Sequence, residues 1–173
     1  MTNKTLTAFC LLIILGCNNY KQRSCDPYFS FDEIEHYYIN IEESAVWDIL
    51  GKEKIAENEK IQFDLLVGST LQKLSDTTLL ENIEKLDFKK TELPVTKFSQ
   101  VNEIFCEKKH KEVLSTTCEA VYRDILVFKK ENKIIGTAKI CFGCIKSIIA
   151  GTRANTDEFG QSGDYDELFK LLH

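Results

Sequence analysis

Apolar residues concentrate near the end of the chain, in runs between residues 122 and 152. Residues 122–128 and 133–141 are rich in β-branched and aromatic side chains, and a short polar stretch separates them. This pattern predicts a β-hairpin, because such side chains favour strands and a short polar stretch between two strands favours a turn. Residues 147–152 continue the pattern, so we expect a three-stranded antiparallel meander.

Apolar residues at helical spacing predict short helices before and after this meander. One short helix ends at Gly51, and a second covers residues 76–87 behind a Ser75 cap. A third is expected over residues 98–105. The last helix follows an acidic capping box that begins at Asp164, and it carries its large apolar side chains on one face.

Two further segments complete the predicted secondary structure. Residues 35–41 have the aromatic and β-branched content of a strand, whereas residues 61–67 fit a strand or a helix equally well. These elements predict a single α+β domain over residues 30–173. Its architecture is a small antiparallel sheet, built around the hairpin and meander, with several short helices packed against it.

The hairpin register leads to a predicted disulfide bond. If residues 130–132 form a three-residue loop, Lys129 faces Lys133, and the same register brings Cys118 opposite Cys144. Directly opposed residues of an antiparallel pair are close enough for a disulfide. A slip of one residue would instead place Ile145 opposite Cys118, so the pairing depends on the loop length.

The amino-terminal residues predict export from the cytosol. A single positive charge at Lys4 precedes an apolar run over residues 6–16. As a helix this run would rise about 16 Å, roughly half the hydrocarbon thickness of a bilayer. It therefore predicts a signal peptide over residues 1–16, not a membrane-spanning helix.

The sequence ILGC at residues 14–17 resembles the lipobox of bacterial lipoproteins. The resemblance implies that Cys17 carries lipid and becomes the first residue of the mature protein, with residues 17–29 as a tether. The implied location is the cell envelope, anchored in a membrane by lipid. Because Asn18 and Asn19 supply no acidic retention residue, the family analogy favours the outer membrane with the domain facing the periplasm.

Composition narrows the range of partners. The chain is 43% hydrophobic and 28% charged, which is typical of a globular protein and not of a disordered one. Its formal net charge of −5 and the lack of a basic stripe argue against nucleic acid as a partner. The membrane, reached through the lipid anchor, and an envelope protein are the expected partners, and no cofactor is predicted.

The sequence CFGC, with Cys141 and Cys144, raises a redox and a metal alternative. A thioredoxin-type dithiol needs a helix amino terminus, but the following residues predict a strand. A metal set would combine these two cysteines with Cys106 and His110, although exported thiols more often form disulfides. Beyond Cys17 an odd number of cysteines remains, so we expect either Cys25 or Cys141 to be unpaired.

No sequence motif points to catalysis, and no catalytic residue is predicted. We expect His36 to lie at the edge of the core and His173 to fray. Residues 122–124, Tyr-Arg-Asp, predict a partner-facing or ion-paired strand. These features favour a non-enzymatic binding or structural module, with a thiol-redox or metal-binding protein as the alternative.

The last third of the chain also resembles uncharacterised small envelope lipoproteins. The segments that carry this resemblance are Cys118, residues 122–124, residues 139–144 and residues 159–165. It implies the same anchored location for the domain. It implies no activity.

Overall fold

A computed structural model describes residues 25–109 and 116–173. The α+β fold is confirmed, with five antiparallel strands in one sheet. The strands are β1 Glu33–Tyr38, β2 Lys89–Glu92, β3 Asp124–Lys130, β4 Lys133–Cys141 and β5 Lys146–Ala150. Their spatial order is β2-β1-β3-β4-β5, so the predicted meander forms one side of a larger sheet and β3 lies at its centre.

Short helices surround the sheet. The α-helices are α1 Glu43–Asp48, α2 Glu57–Leu66, α3 Phe98–Ile104 and α4 Asp164–Leu172, and 3₁₀ turns cover Leu74–Leu80, Ile83–Leu86 and Val95–Lys97. The ambiguous segment at residues 61–67 is thus mostly helical. The segment predicted as one helix over residues 76–87 instead forms two 3₁₀ turns, and the second ends at Asp87 in the left-handed conformation. Within residues 25–109 and 116–173 the structure contains no apolar helix of the length that a membrane span requires.

The alternation of side chains along the strands creates two separate apolar layers. On one face Leu126 and Phe128 of β3 pack with α3 and α4. On the other face Ile125 and Val127 pack with α2 and the 3₁₀ turns. All four side chains are at most 1% exposed, because helices cover the central strand on both faces.

The predicted three-residue hairpin loop is wrong. The loop between β3 and β4 has two residues, Glu131 and Asn132, with φ of 50° and 61°. Two left-handed residues match the twist of the flanking strands, which is why such loops are common in hairpins. An irregularity after Phe128 shifts the register once more, so that Asp124 pairs with Ile140.

Strand β2 was missed by the sequence analysis. Its four residues, KKTE, are all exposed and show no apolar alternation. It pairs with β1 at the edge of the sheet, where exposed lysines are common because they discourage pairing with other chains. Only the hydrogen bonds to β1 define it as a strand.

Residues 25–29 belong to the folded domain, not to the predicted tether. Cys25 is bonded to Cys106, and the backbone N–H of Tyr28 donates to the Phe105 carbonyl at 2.8 Å. Phe29 is buried and stacks on Phe128 with ring centroids 4.4 Å apart. The two aromatic residues that follow the proline therefore enter the core, and the described domain begins at Cys25 instead of residue 30.

Candidate functional site

Three polar side chains converge on the α3/α4 face of the sheet: His36, Asp124 and His173. In the β1–β3 ladder His36 pairs with Leu126 and Tyr38 with Asp124. Directly opposed residues share a face, so His36 and Asp124 are diagonal neighbours on the same face. His173 follows the last residue of α4 and brings a second imidazole to them.

Both imidazoles approach the same carboxylate oxygen. Nε2 of His36 lies 2.7 Å from Oδ1 of Asp124, and Nε2 of His173 lies 3.0 Å from that oxygen. The ligand atoms of all three residues lie within 4.8 Å of one another. His36 and Asp124 are only 4% and 3% exposed, whereas His173 is exposed. The cluster therefore has two buried members and one member at the surface.

Aromatic rings flank the His173 imidazole. Its ring centroid lies 4.7 Å from that of Phe169 and 4.8 Å from that of Tyr38. A cavity of about 240 Å³ lies beside the cluster, and Asp124, Phe142 and His173 are among its lining residues. The cluster thus faces a space that a small ligand or water can enter.

Glu35 lies on the opposite face of β1 and is also buried. Its carboxylate accepts hydrogen bonds from Lys129 at 2.5 Å and from the Tyr37 hydroxyl at 3.0 Å, and it also pairs with Lys90. Burial opposes ionisation, but these donors hold the pKa of Glu35 below its ordinary value. This network ties β1 to its two neighbouring strands and serves the fold.

Lys139 is fully buried on the α2 side of the sheet. Its ammonium donates to the Gly68 carbonyl at 2.7 Å and to Thr70 Oγ1 at 3.1 Å, and it lies 4.8 Å from the centroid of the Tyr122 ring. Burial lowers the pKa of Lys139 to about 7, against the opposing effect of the Asp64 charge. Within the described residues this lysine joins β4 to the loop after α2.

The two cysteines of the CFGC motif differ in their bonding state. Cys144 is bonded to Cys118, with 5.9 Å between their Cα atoms, and Cys141 is a buried free thiol. Cys106 is bonded to Cys25. Two of the three thiols in the metal set suggested by the sequence are therefore oxidised, and His110 lies outside the described residues. Neither a Cys141–Cys144 dithiol nor that metal set is present.

The Cys118–Cys144 pair is the one expected from the sequence, but the register behind the expectation is wrong. The β3–β4 ladder ends at Asp124 and Ile140, before either cysteine is reached. The two segments beyond the ladder are joined by a different contact, in which Lys146 Nζ donates to the Cys118 carbonyl at 2.6 Å. Tertiary contacts, not strand pairing, bring these cysteines together.

No pattern in the sequence links the three cluster residues. The sequence predicts His36 at the edge of the core and fraying at His173, whereas both contact Asp124. Tyr122, which lies two residues before Asp124 in the sequence, packs against Cys141 and Cys144 and is not part of the cluster. Pairing of β1 with β3 across a long stretch of chain creates the cluster, and alternation within single strands carries no signal for it.

No protein-family model, no curated protein and no solved structure matches this chain. The function of the chain is therefore inferred from its residues and their geometry.

Proposed function

We propose that this protein is a lipid-anchored lipoprotein of the bacterial cell envelope. Its folded domain acts as a non-enzymatic binding or structural module. The proposal takes Cys17, at the end of the lipobox-like sequence ILGC, as the lipidated first residue of the mature chain. Residues 18–24 then form the tether between the lipid and the folded domain.

The observation that carries this proposal is the presence of two disulfides in a small domain. Cys25–Cys106 and Cys118–Cys144 join positions 81 and 26 residues apart in the sequence. Structural disulfides persist in oxidising compartments and are rare in the cytosol. They support export of the chain, which a signal peptide over residues 1–16 would direct.

Lipid is sufficient to retain such a domain at a membrane. Each buried methylene contributes about 0.8 kcal/mol, so a single acyl chain binds only marginally, whereas two or three chains anchor a protein durably. Asn18 and Asn19 follow the cysteine without an acidic residue. By family analogy we place the anchor in the outer membrane with the domain in the periplasm.

The buried ionisable groups outside the histidine cluster favour a binding or structural role. The charges of Glu35 and Lys139 are held by internal hydrogen bonds. No buried side-chain nitrogen or oxygen in the described residues lacks a partner. Groups satisfied in this way join elements of the fold, whereas a general acid or base needs access to a substrate.

Mass spectrometry of the membrane-extracted protein tests the proposal. We expect a mature chain that begins at an acylated Cys17. The Cys17→Ser variant loses the thioether and keeps residues 1–16, whereas Cys10→Ser, which removes the other cysteine of the amino-terminal segment, is acylated and processed normally. Recovery of the wild-type chain in the soluble fraction with Met1 in place, or normal acylation of Cys17→Ser, contradicts the proposal.

A further inference from the structure

We propose that His36, Asp124 and His173 form a binding site for one divalent transition-metal ion of the zinc class. This site is separate from the four residues that the sequence suggested for a metal. It also does not depend on lipidation. The inference rests on the donor types, their convergence and the cavity beside them.

The donor types match those of known zinc sites. Imidazole nitrogen and carboxylate oxygen bind Zn²⁺ at about 2.0–2.2 Å, and two histidines with one carboxylate are a common set of three protein ligands. Imidazole also selects against hard cations such as Mg²⁺ and Ca²⁺, which prefer oxygen ligands. The set therefore favours zinc or a similar transition metal.

The two imidazoles converge as ligands do. Each oxygen of an ionised carboxylate has two lone pairs, so one oxygen can face two imidazoles at once. Here both Nε2 atoms approach the single oxygen Oδ1, at 2.7 and 3.0 Å. Two tetrahedral bonds of zinc length would place their ligand atoms about 3.3 Å apart, so a metal requires the His36 nitrogen to lie about 0.6 Å farther from the oxygen and the His173 nitrogen about 0.3 Å farther.

The structure provides for this adjustment. The sheet holds the backbones of His36 and Asp124, because both residues are buried on adjacent paired strands. His173 lies beyond the last helical residue of α4, and its side chain is 24% exposed against 5% for that of His36, so it has the most room to shift. Small rotations of the three side chains about these backbone positions allow the ligand atoms to close around an ion.

The cavity supplies the remaining coordination position. Asp124 and His173 both contribute to its wall, beside the ring of Phe142. A site with three protein ligands and an open fourth position admits water or a ligand from outside. A bound metal would therefore be accessible to a small molecule or to a side chain of a partner.

The chain offers a matched set of variants, because it contains only three histidines. The full chain, purified in detergent and stripped with chelator, is titrated with ZnCl₂ by calorimetry in the presence of excess Mg²⁺. His173→Ala removes an exposed ligand and Asp124→Asn removes the charge with little change in shape. His110→Ala removes the one histidine outside the cluster and serves as the control.

We expect wild type and His110→Ala to bind one Zn²⁺ per chain with equal affinity. His173→Ala and Asp124→Asn should each weaken binding at least 100-fold. Zinc should raise the melting temperature of wild type but not of His173→Ala, because a ligand stabilises only the state that binds it. Equal zinc affinity in wild type and His173→Ala, loss of binding in His110→Ala, or no stoichiometric binding to wild type overturns the inference.

Discussion

Lys139 shows how a charge can be accommodated inside a small domain at an energetic cost. Its side chain is fully buried, and carbonyl and hydroxyl oxygens contributed by Gly68 and Thr70 take the place of water around the ammonium. Desolvation still disfavours the charged form, which is why the pKa falls to about 7. The folded protein therefore loses this proton at a lower pH than the unfolded chain does.

This difference predicts that stability rises with pH between about 7 and 10.5. In that range the unfolded chain binds more protons at this position than the folded chain, so the penalty of the buried charge is relieved as pH increases. From pH 7 to pH 9 the free energy of unfolding of wild type should rise by about 2 kcal/mol relative to Lys139→Met. Urea unfolding at the two pH values measures the difference.

Lys133→Met is the matched control, because Lys133 begins the same strand but is exposed. Its pH dependence should follow that of wild type. The assignment to Lys139 is wrong if Lys139→Met and wild type show the same change in stability between pH 7 and pH 9.

At the scale of elements, the disulfides stabilise two different parts of the fold. Cys25–Cys106 attaches the segment before β1 to the end of α3, and it helps keep Tyr28 and Phe29 in the core. Cys118–Cys144 joins the chain before β3 to the turn after β4. In chain-entropy terms the longer loop gives the larger stabilisation, about 4.5 kcal/mol against about 3.5 kcal/mol.

We therefore predict that Cys25→Ala with Cys106→Ala lowers the free energy of unfolding more than Cys118→Ala with Cys144→Ala. The first pair of substitutions also frees two buried aromatic residues, which increases the difference. Denaturant unfolding without reductant measures both losses. Cys141→Ala, which removes a buried thiol that forms no disulfide, should cost only about 1 kcal/mol. Equal losses for the two double variants would contradict this ranking.

At the scale of the whole molecule, cysteine chemistry links the fold to the proposed processing. The chain has seven cysteines, and four of them form the two disulfides. Cys141, the last residue of β4, is a buried free thiol. Cys10 lies in the proposed signal peptide and Cys17 is the proposed lipid acceptor. The number of reactive thiols should therefore report both folding and maturation.

We expect maleimide to leave Cys141 of the native mature protein unmodified, because the side chain is inaccessible. After denaturation without reductant the mature chain should take one label, whereas an unprocessed chain that keeps Cys10 and Cys17 should take three. Peptide mapping of the labelled chain, by mass spectrometry, identifies the modified residues. A dominant Cys141–Cys144 linkage in the same digest would refute the pairing in the structure.

Local sequence patterns were sufficient to predict many helices and strands, because those elements are specified by neighbouring residues. The amphipathic spacing and acidic start at residues 164–172 predict α4, and the β-branched residues in 133–141 predict β4, as the structure confirms. The predicted length of the hairpin loop was wrong. A two-residue loop needs Glu131 in the left-handed conformation, which glutamate rarely adopts. The 3₁₀ turns within residues 76–87 were predicted as a helix because both conformations repeat apolar residues at similar spacing.

The sequence alone determined the α+β class, the strands of the meander and most helices, because each of these depends on residues close together in the chain. The odd number of cysteines follows from composition. Tertiary structure alone decided the edge strand β2, the Cys25–Cys106 bond and the meeting of His36, Asp124 and His173. These features join residues far apart in sequence, and their partners are chosen by the packing of the sheet between its two helical layers. The candidate metal site belongs to this second group, because no local periodicity relates a histidine in β1 to an aspartate in β3.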